Sequence, residues 1–164
     1  YKEMGFSKGD IALYSKGIGW ITTVVFTLLG GLFAIRSGVV KAMFISGILM
    51  AATNLLFAAL AWSGKSEWLF AVTVLLDDIA AAFATVAFVA FISLLVDRTY
   101  TATQYALLAS IGTLGRTTLA ASSGELVDWL NGDWGIFFVI TTVMVIPSLI
   151  CLWIIRNKLK LSAK

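Results

Sequence analysis

Two adjacent carboxylates, Asp77 and Asp78, sit in the middle of one long apolar run, and a guanidinium, Arg116, sits inside another. The chemistry open to carboxylates away from bulk water is reversible protonation; that of a guanidinium is pairing with a carboxylate or another anion. Lys16, Asn54 and Gln104 are further polar residues within or beside apolar stretches. The sequence contains no histidine, which removes Ser-His and Cys-His catalysis and histidine metal sites. Its one cysteine, Cys151, lies in an apolar run, so no disulfide forms within the chain. Gly5-Phe6-Ser7-Lys8-Gly9 lacks the longer glycine spacing, ending in Lys-Ser/Thr, that cradles a phosphate. No metal-type carboxylate cluster stands outside the apolar runs. The residues therefore point away from an enzyme, with no catalytic residue, no metal and no cofactor expected.

The elements that must hold these charges are set by composition. Hydrophobic residues make up 60% of the 164 positions and charged residues 13%, against roughly 45–50% and 25% in soluble domains. Mean hydropathy is +0.95. A small soluble core cannot hide this excess, so the apolar surface is expected to face lipid, and neither disorder nor nucleic-acid binding fits. About 20 apolar residues carry a helix across a bilayer core of about 30 Å. Five stretches meet that need, at 13–35, 41–62, 68–96, 103–130 and 134–155, the fourth turning more polar after Ala121. They are long and lack two-residue alternation, which favours helices over barrel strands. Fold class is therefore all-α, a polytopic transmembrane helix bundle. Loops such as Arg36-Ser37-Gly38 and Gly64-Lys65-Ser66-Glu67 leave room only for antiparallel neighbours. Gly112 and Gly115 on the fourth span, with other small residues, allow close helix approach. Pro147 is expected to kink the fifth span by freeing a carbonyl one turn earlier.

Five spans place the chain ends on opposite sides. Arg36, Lys41, Arg98, Arg156, Lys158, Lys160 and Lys164 fall on one side; Lys2, Lys8 and Lys65 fall on the other. The richer side is cytoplasmic by the positive-inside rule, which puts the tail at 156–164 inside and Tyr1 outside. Trp62, Trp68, Trp129 and Trp134 gather at the expected outer interface as an aromatic belt. At about 1.5 Å per residue, Asp77 lies roughly 13 Å below the outer end of its helix and Arg116 roughly 20 Å above its inner end. Those depths allow an Asp–Arg pair between the third and fourth spans. Adjacent helical residues diverge by about 100°, so Asp77 and Asp78 cannot both face Arg116.

Each candidate has two readings. Asp77 and Asp78 are either a proton site or a structural charge pair that fixes helix register. Arg116 divides in the same way, and its face with Ala109, Gly112, Thr113, Ala120 and Ser123 is expected to look inward. Lys16 either snorkels to the headgroups or binds substrate. Asn54 reads as a hydrogen-bonding residue between helices, and Gln104 as a helix cap or part of an inner gate.

A stretch from Gly30 to Arg36, Gly38 and Lys41 resembles the G-x-L-A-D-R-x-G-R-R loop of the major facilitator superfamily, with Ile35 in place of the acidic residue and Val39 and Val40 in place of basic ones. Thr85-Val86-Ala87-Phe88-Val89-Ala90, then Thr101-Ala102-Thr103-Gln104-Tyr105-Ala106-Leu107-Leu108-Ala109-Ser110, then Gly115-Arg116, resemble the AmpG-like muropeptide permeases of that superfamily, which read "TAAFVA", "SATQFALLSA" and "GR". The resemblance covers nearly the whole chain. It implies the C-terminal half of such a carrier, without its first helix. In the family the position of Asp77 is usually acidic and that of Asp78 usually an amide, so Asp78 is a departure.

What the resemblance implies is proton-driven uptake of anhydro-muropeptides, or of related sugar or peptide solutes, across a bacterial inner membrane by alternating access. The partners expected are the lipid bilayer, a proton, a small solute and an N-terminal half of the same polypeptide, with no nucleic acid. The competing readings are a non-transporting membrane scaffold and a carrier of a different solute.

Overall fold

The computed structural model describes residues 9, 19–64, 66–96 and 101–162, with side chains as far as 156. Among the described residues six helices of more than one residue follow in chain order: α1 (Gly19–Ser37), α2 (Val39–Ser63), α3 (Glu67–Leu95), α4 (Thr101–Ala121), α5 (Ser123–Trp129) and α6 (Trp134–Ser162). Their ends are written in local chemistry. Gly38, at φ 90°, is the single residue between α1 and α2, a backbone region closed to most side chains. Ser66 caps α3 by accepting a bond from the Leu69 amide at 3.4 Å, and Glu67 adds negative charge at the positive end of the helix. After α5 the chain turns through Asn131 and Gly132, both at positive φ, and Asp133 starts α6 by accepting from the Ile136 amide at 3.0 Å.

Helix α2 is the axis of the bundle, packed along α3 on one side and α6 on the other, while α1 lies against α3. Two clusters hold these elements. Phe57 and Leu60 of α2 meet Phe70 and Val74 of α3, with Phe138 of α6 stacked on Phe57 at 5.1 Å. Nearer the other end, Ala34, Ala42 and Ala87 bring α1, α2 and α3 together beside Phe33 and Phe83. Small residues dominate this second contact because helices in lipid gain by close van der Waals approach rather than by escape from water.

The outer surface is apolar. Leu28 is 71% exposed and Ile35 82% exposed, and Leu107, Leu114 and Leu119 also point away from the bundle. Soluble monomers rarely show apolar patches beyond a few hundred Å². Among the described residues four helices, α1, α2, α3 and the 134–156 part of α6, are long and apolar enough to cross a membrane. Trp62, Trp68, Trp129 and Trp134 are exposed and lie at the helix ends where α2 finishes, α3 begins, α5 finishes and α6 begins. The chain is thus an all-α membrane helix bundle.

Several sequence expectations shift. The fourth span divides at Ser122 into α4 and α5, and α4 is not among the helices apolar enough to cross by composition. Its threonines, its glycines and Ser110 lower its mean hydropathy. The fifth apolar span ends within a residue of Ile155, at Arg156, but its helix runs on: α6 continues to Ser162, because no glycine or proline follows Pro147 to end it. The part of the first span before Gly19, Lys16 included, lies outside the described residues.

Candidate functional site

Asp77 and Asp78 lie where the third turn of α3 passes into the fourth, and both are half-buried. Their divergence follows from the helical turn. Asp77 faces α2, where its Oδ1 accepts from the Thr53 hydroxyl at 3.2 Å. Thr53 is itself 4% exposed and also donates to the Met50 carbonyl at 3.0 Å, so one hydroxyl is shared between its own helix and the carboxylate. Asp78 faces α1 instead. Its Oδ2 lies 2.6 Å from where a Cβ on Gly19 would stand, so only glycine leaves room for that carboxylate. The same oxygen is buried without a hydrogen-bond partner.

Beside Asp77 a cavity of about 890 Å³ opens between α2, α3 and the start of α6. Asp77 and Asn54 are polar groups deep in its wall; Phe57, Trp62, Trp134 and Phe138 supply aromatic surface, and Asn131 to Gly135 form its rim. Asn54 is therefore a cavity residue, and the bond between helices that the sequence assigned to it is made by its neighbour Thr53. A lone threonine hydroxyl in an apolar helix gives little signal in a sequence, since threonine also bonds to its own backbone.

Arg116 corrects the expected charge pair. It is exposed on α4, and among the described residues no salt bridge joins it to Asp77 or Asp78. Register explains this. Helix α4 touches α3 where the Phe88 ring fills the space beside Gly112, 2.7 Å from an ideal Cβ there. Asp77 lies eleven residues from Phe88, about 16 Å along α3, while Arg116 lies four residues from Gly112, about 6 Å along α4. In antiparallel helices the two charges then differ in depth by about 10 Å, and Asp77 is turned to α2 besides. Gly112 has the packing role expected of it; Gly115 has nothing within 4 Å among the described residues. Gln104 is half-buried in the first turn of α4. Lys16 lies outside the described residues.

Residues that sequence reasoning missed are Thr53, Gly19 and Thr73, the last wholly buried on α3 one turn before Asp77 with its hydroxyl unpartnered.

Comparison with known proteins agrees with this architecture. The family model of the Major Facilitator Superfamily matches residues 1–164. The protein named AmpG 4 of Rickettsia conorii is 34% identical over 158 residues, which cover 96% of this chain and 38% of that protein. AmpG 1 of the same organism is 32% identical over 151 residues, covering 92% and 36%. The anhydromuropeptide permease of Escherichia coli K12 is 29% identical over 159 residues, covering 97% and 32%. The chain thus spans about a third of the length of these relatives. With one match running from the first residue to the last, this membrane helix bundle belongs to the major facilitator superfamily.

Proposed function

We propose that the chain is the C-terminal half of a proton-coupled carrier in a bacterial inner membrane, taking up muropeptides or related sugar and peptide solutes by alternating access. The observation that carries this reading is the pair of half-buried carboxylates on α3, one held by Thr53 and one with an oxygen unpartnered, inside a helix that is otherwise apolar. Charges at such depth cost at least about 2.5–3.5 kcal/mol on insertion scales, and no salt bridge among the described residues offsets that cost. A role in moving protons accounts for them. The permease named among the relatives supports the solute class.

In this reading the translocation path runs between this bundle and a companion N-terminal half, with the exposed face of α4 towards it; the small residues of α1, Gly30 and Ala34 among them, are packed inside the bundle instead. Arg116, exposed on that face of α4, receives an anionic group of the solute. Gln104 belongs to the inner gate, and Lys16 to the outer end of the path. Protonation of Asp77 or Asp78 biases the equilibrium between outward-open and inward-open states.

The test uses the full polypeptide in proteoliposomes with an imposed pH gradient and labelled anhydro-muropeptide. Replacing Asp77 and Asp78 separately by Asn should abolish accumulation in at least one case, with membrane expression unchanged. Unchanged uptake in both variants would defeat the proton role and leave the scaffold reading. Loss of muropeptide uptake specificity, with another solute accumulated in its place, would move the reading to a carrier of that solute.

A further inference from the structure

We infer that the cavity between α2, α3 and α6 is a binding site for an organic ammonium group. Its lining has the chemistry of a cation receptor. Asp77 lies deep in the wall, and Asp133 lies at the rim where α6 begins. No lysine or arginine is found among the described lining residues. Thr53 occupies one oxygen of Asp77 and the Ile136 amide one oxygen of Asp133, so neither carboxylate meets a cation of the protein there. Between the two carboxylates stand the rings of Phe57, Trp62, Trp134 and Phe138. An ammonium held near aromatic faces and a carboxylate out of bulk water is bound by both charge and ring quadrupole.

Size and depth agree. The volume, about 890 Å³, falls in the range of small-molecule sites. Asp77 lies ten residues into α3, roughly 15 Å from the helix start. A ligand with its cation at Asp77 therefore reaches back to the tryptophans at the interface, and its apolar part lies along Phe57 and Phe138. Helices α2, α3 and α6 line the site without α4, the helix that carries Arg116.

The probe is benzyltrimethylammonium, compared with neopentylbenzene, its uncharged isostere. Binding is measured by calorimetry on the full polypeptide in phosphatidylglycerol nanodiscs. The cation should bind saturably and at least about tenfold more tightly than the isostere, from the charge and ring terms together. Asp77→Asn should weaken the cation about tenfold and leave the isostere unchanged; Trp134→Leu should weaken it about threefold to tenfold. Equal binding of cation and isostere by the unmodified protein, a comparison that needs no variant, would overturn the inference. So would full affinity in a folded Asp77→Asn protein. Nanodiscs that also contain phosphatidylethanolamine separate two sources of the same group. A drop in apparent probe affinity there identifies a lipid headgroup as the occupant, and an unchanged affinity identifies a free solute. Absence of cation binding alongside uptake that still requires Asp77 would sink this site and leave the proton-coupled reading intact.

Discussion

Thr53 reaches Asp77 from the neighbouring helix α2. Thr53→Val keeps the shape and removes the donor. It should cost about 1–2 kcal/mol in unfolding measured in mixed micelles, the range for losing a bond to a carboxylate in a partly buried site. Thr53→Ser should recover most of that. Gly19→Ala makes the parallel test on the other carboxylate, since the new methyl collides with Asp78 and forces it or α1 to move. The existence of intramembrane charges was legible from residue types alone, and so was their divergence, because adjacent side chains on any helix point apart. Their partners were not. A shift of one turn at the helix ends is enough to bring Arg116 level with Asp77. The Phe88–Gly112 contact sets the register otherwise.

Helices in lipid respond differently from helices in a soluble core. Phe70 is wholly buried between α2 and α3. In water its truncation would lose both transfer and packing terms, but lipid is as apolar as the bundle, so only the cavity term remains. Phe70→Ala should therefore destabilise by about 2 kcal/mol rather than the 3–5 kcal/mol seen in soluble cores, read from unfolding in micelles. Gly112→Leu should separate α4 from α3 and lower thermal stability, whereas Gly115→Leu, with nothing within 4 Å, should change it by less than about 0.5 kcal/mol. The boundaries of α2 and α3 were readable within a residue or two, because Gly38, Gly64 and Ser66 punctuate them. Helix α4 was harder: its length and single charge read as a span, while its threonines and glycines leave it less apolar than its neighbours. Beyond Ile155 the basic residues mark the end of the apolar span, but nothing there ends the helix.

Whole-molecule topology follows from how many helices cross. If α4 spans with the four more apolar helices, the α2–α3 link and α5 share the outer side. In a Cys151→Ser background, cysteines placed at Ser63 and Gly124 should react with an impermeant maleimide added outside, and one at Ser37 should not. Labelling of Gly124→Cys only after the membrane is opened would show that α4 does not cross. Membership of the superfamily was legible from the motifs around Thr85, Thr101 and Gly115-Arg116, whereas the cavity beside Asp77 was not, since it forms only where α2, α3 and α6 converge.

Proton movement driven by the solute bears most directly on the account. The full polypeptide is sealed into proteoliposomes that enclose a pH-sensitive dye, with no pH gradient imposed, and anhydro-muropeptide is added outside. The lumen should acidify as solute enters, and the signal should vanish when the essential carboxylate of Asp77 and Asp78 is replaced by Asn. Solute entry at full rate with no change in lumenal pH would contradict the claim that these two carboxylates are there to carry protons.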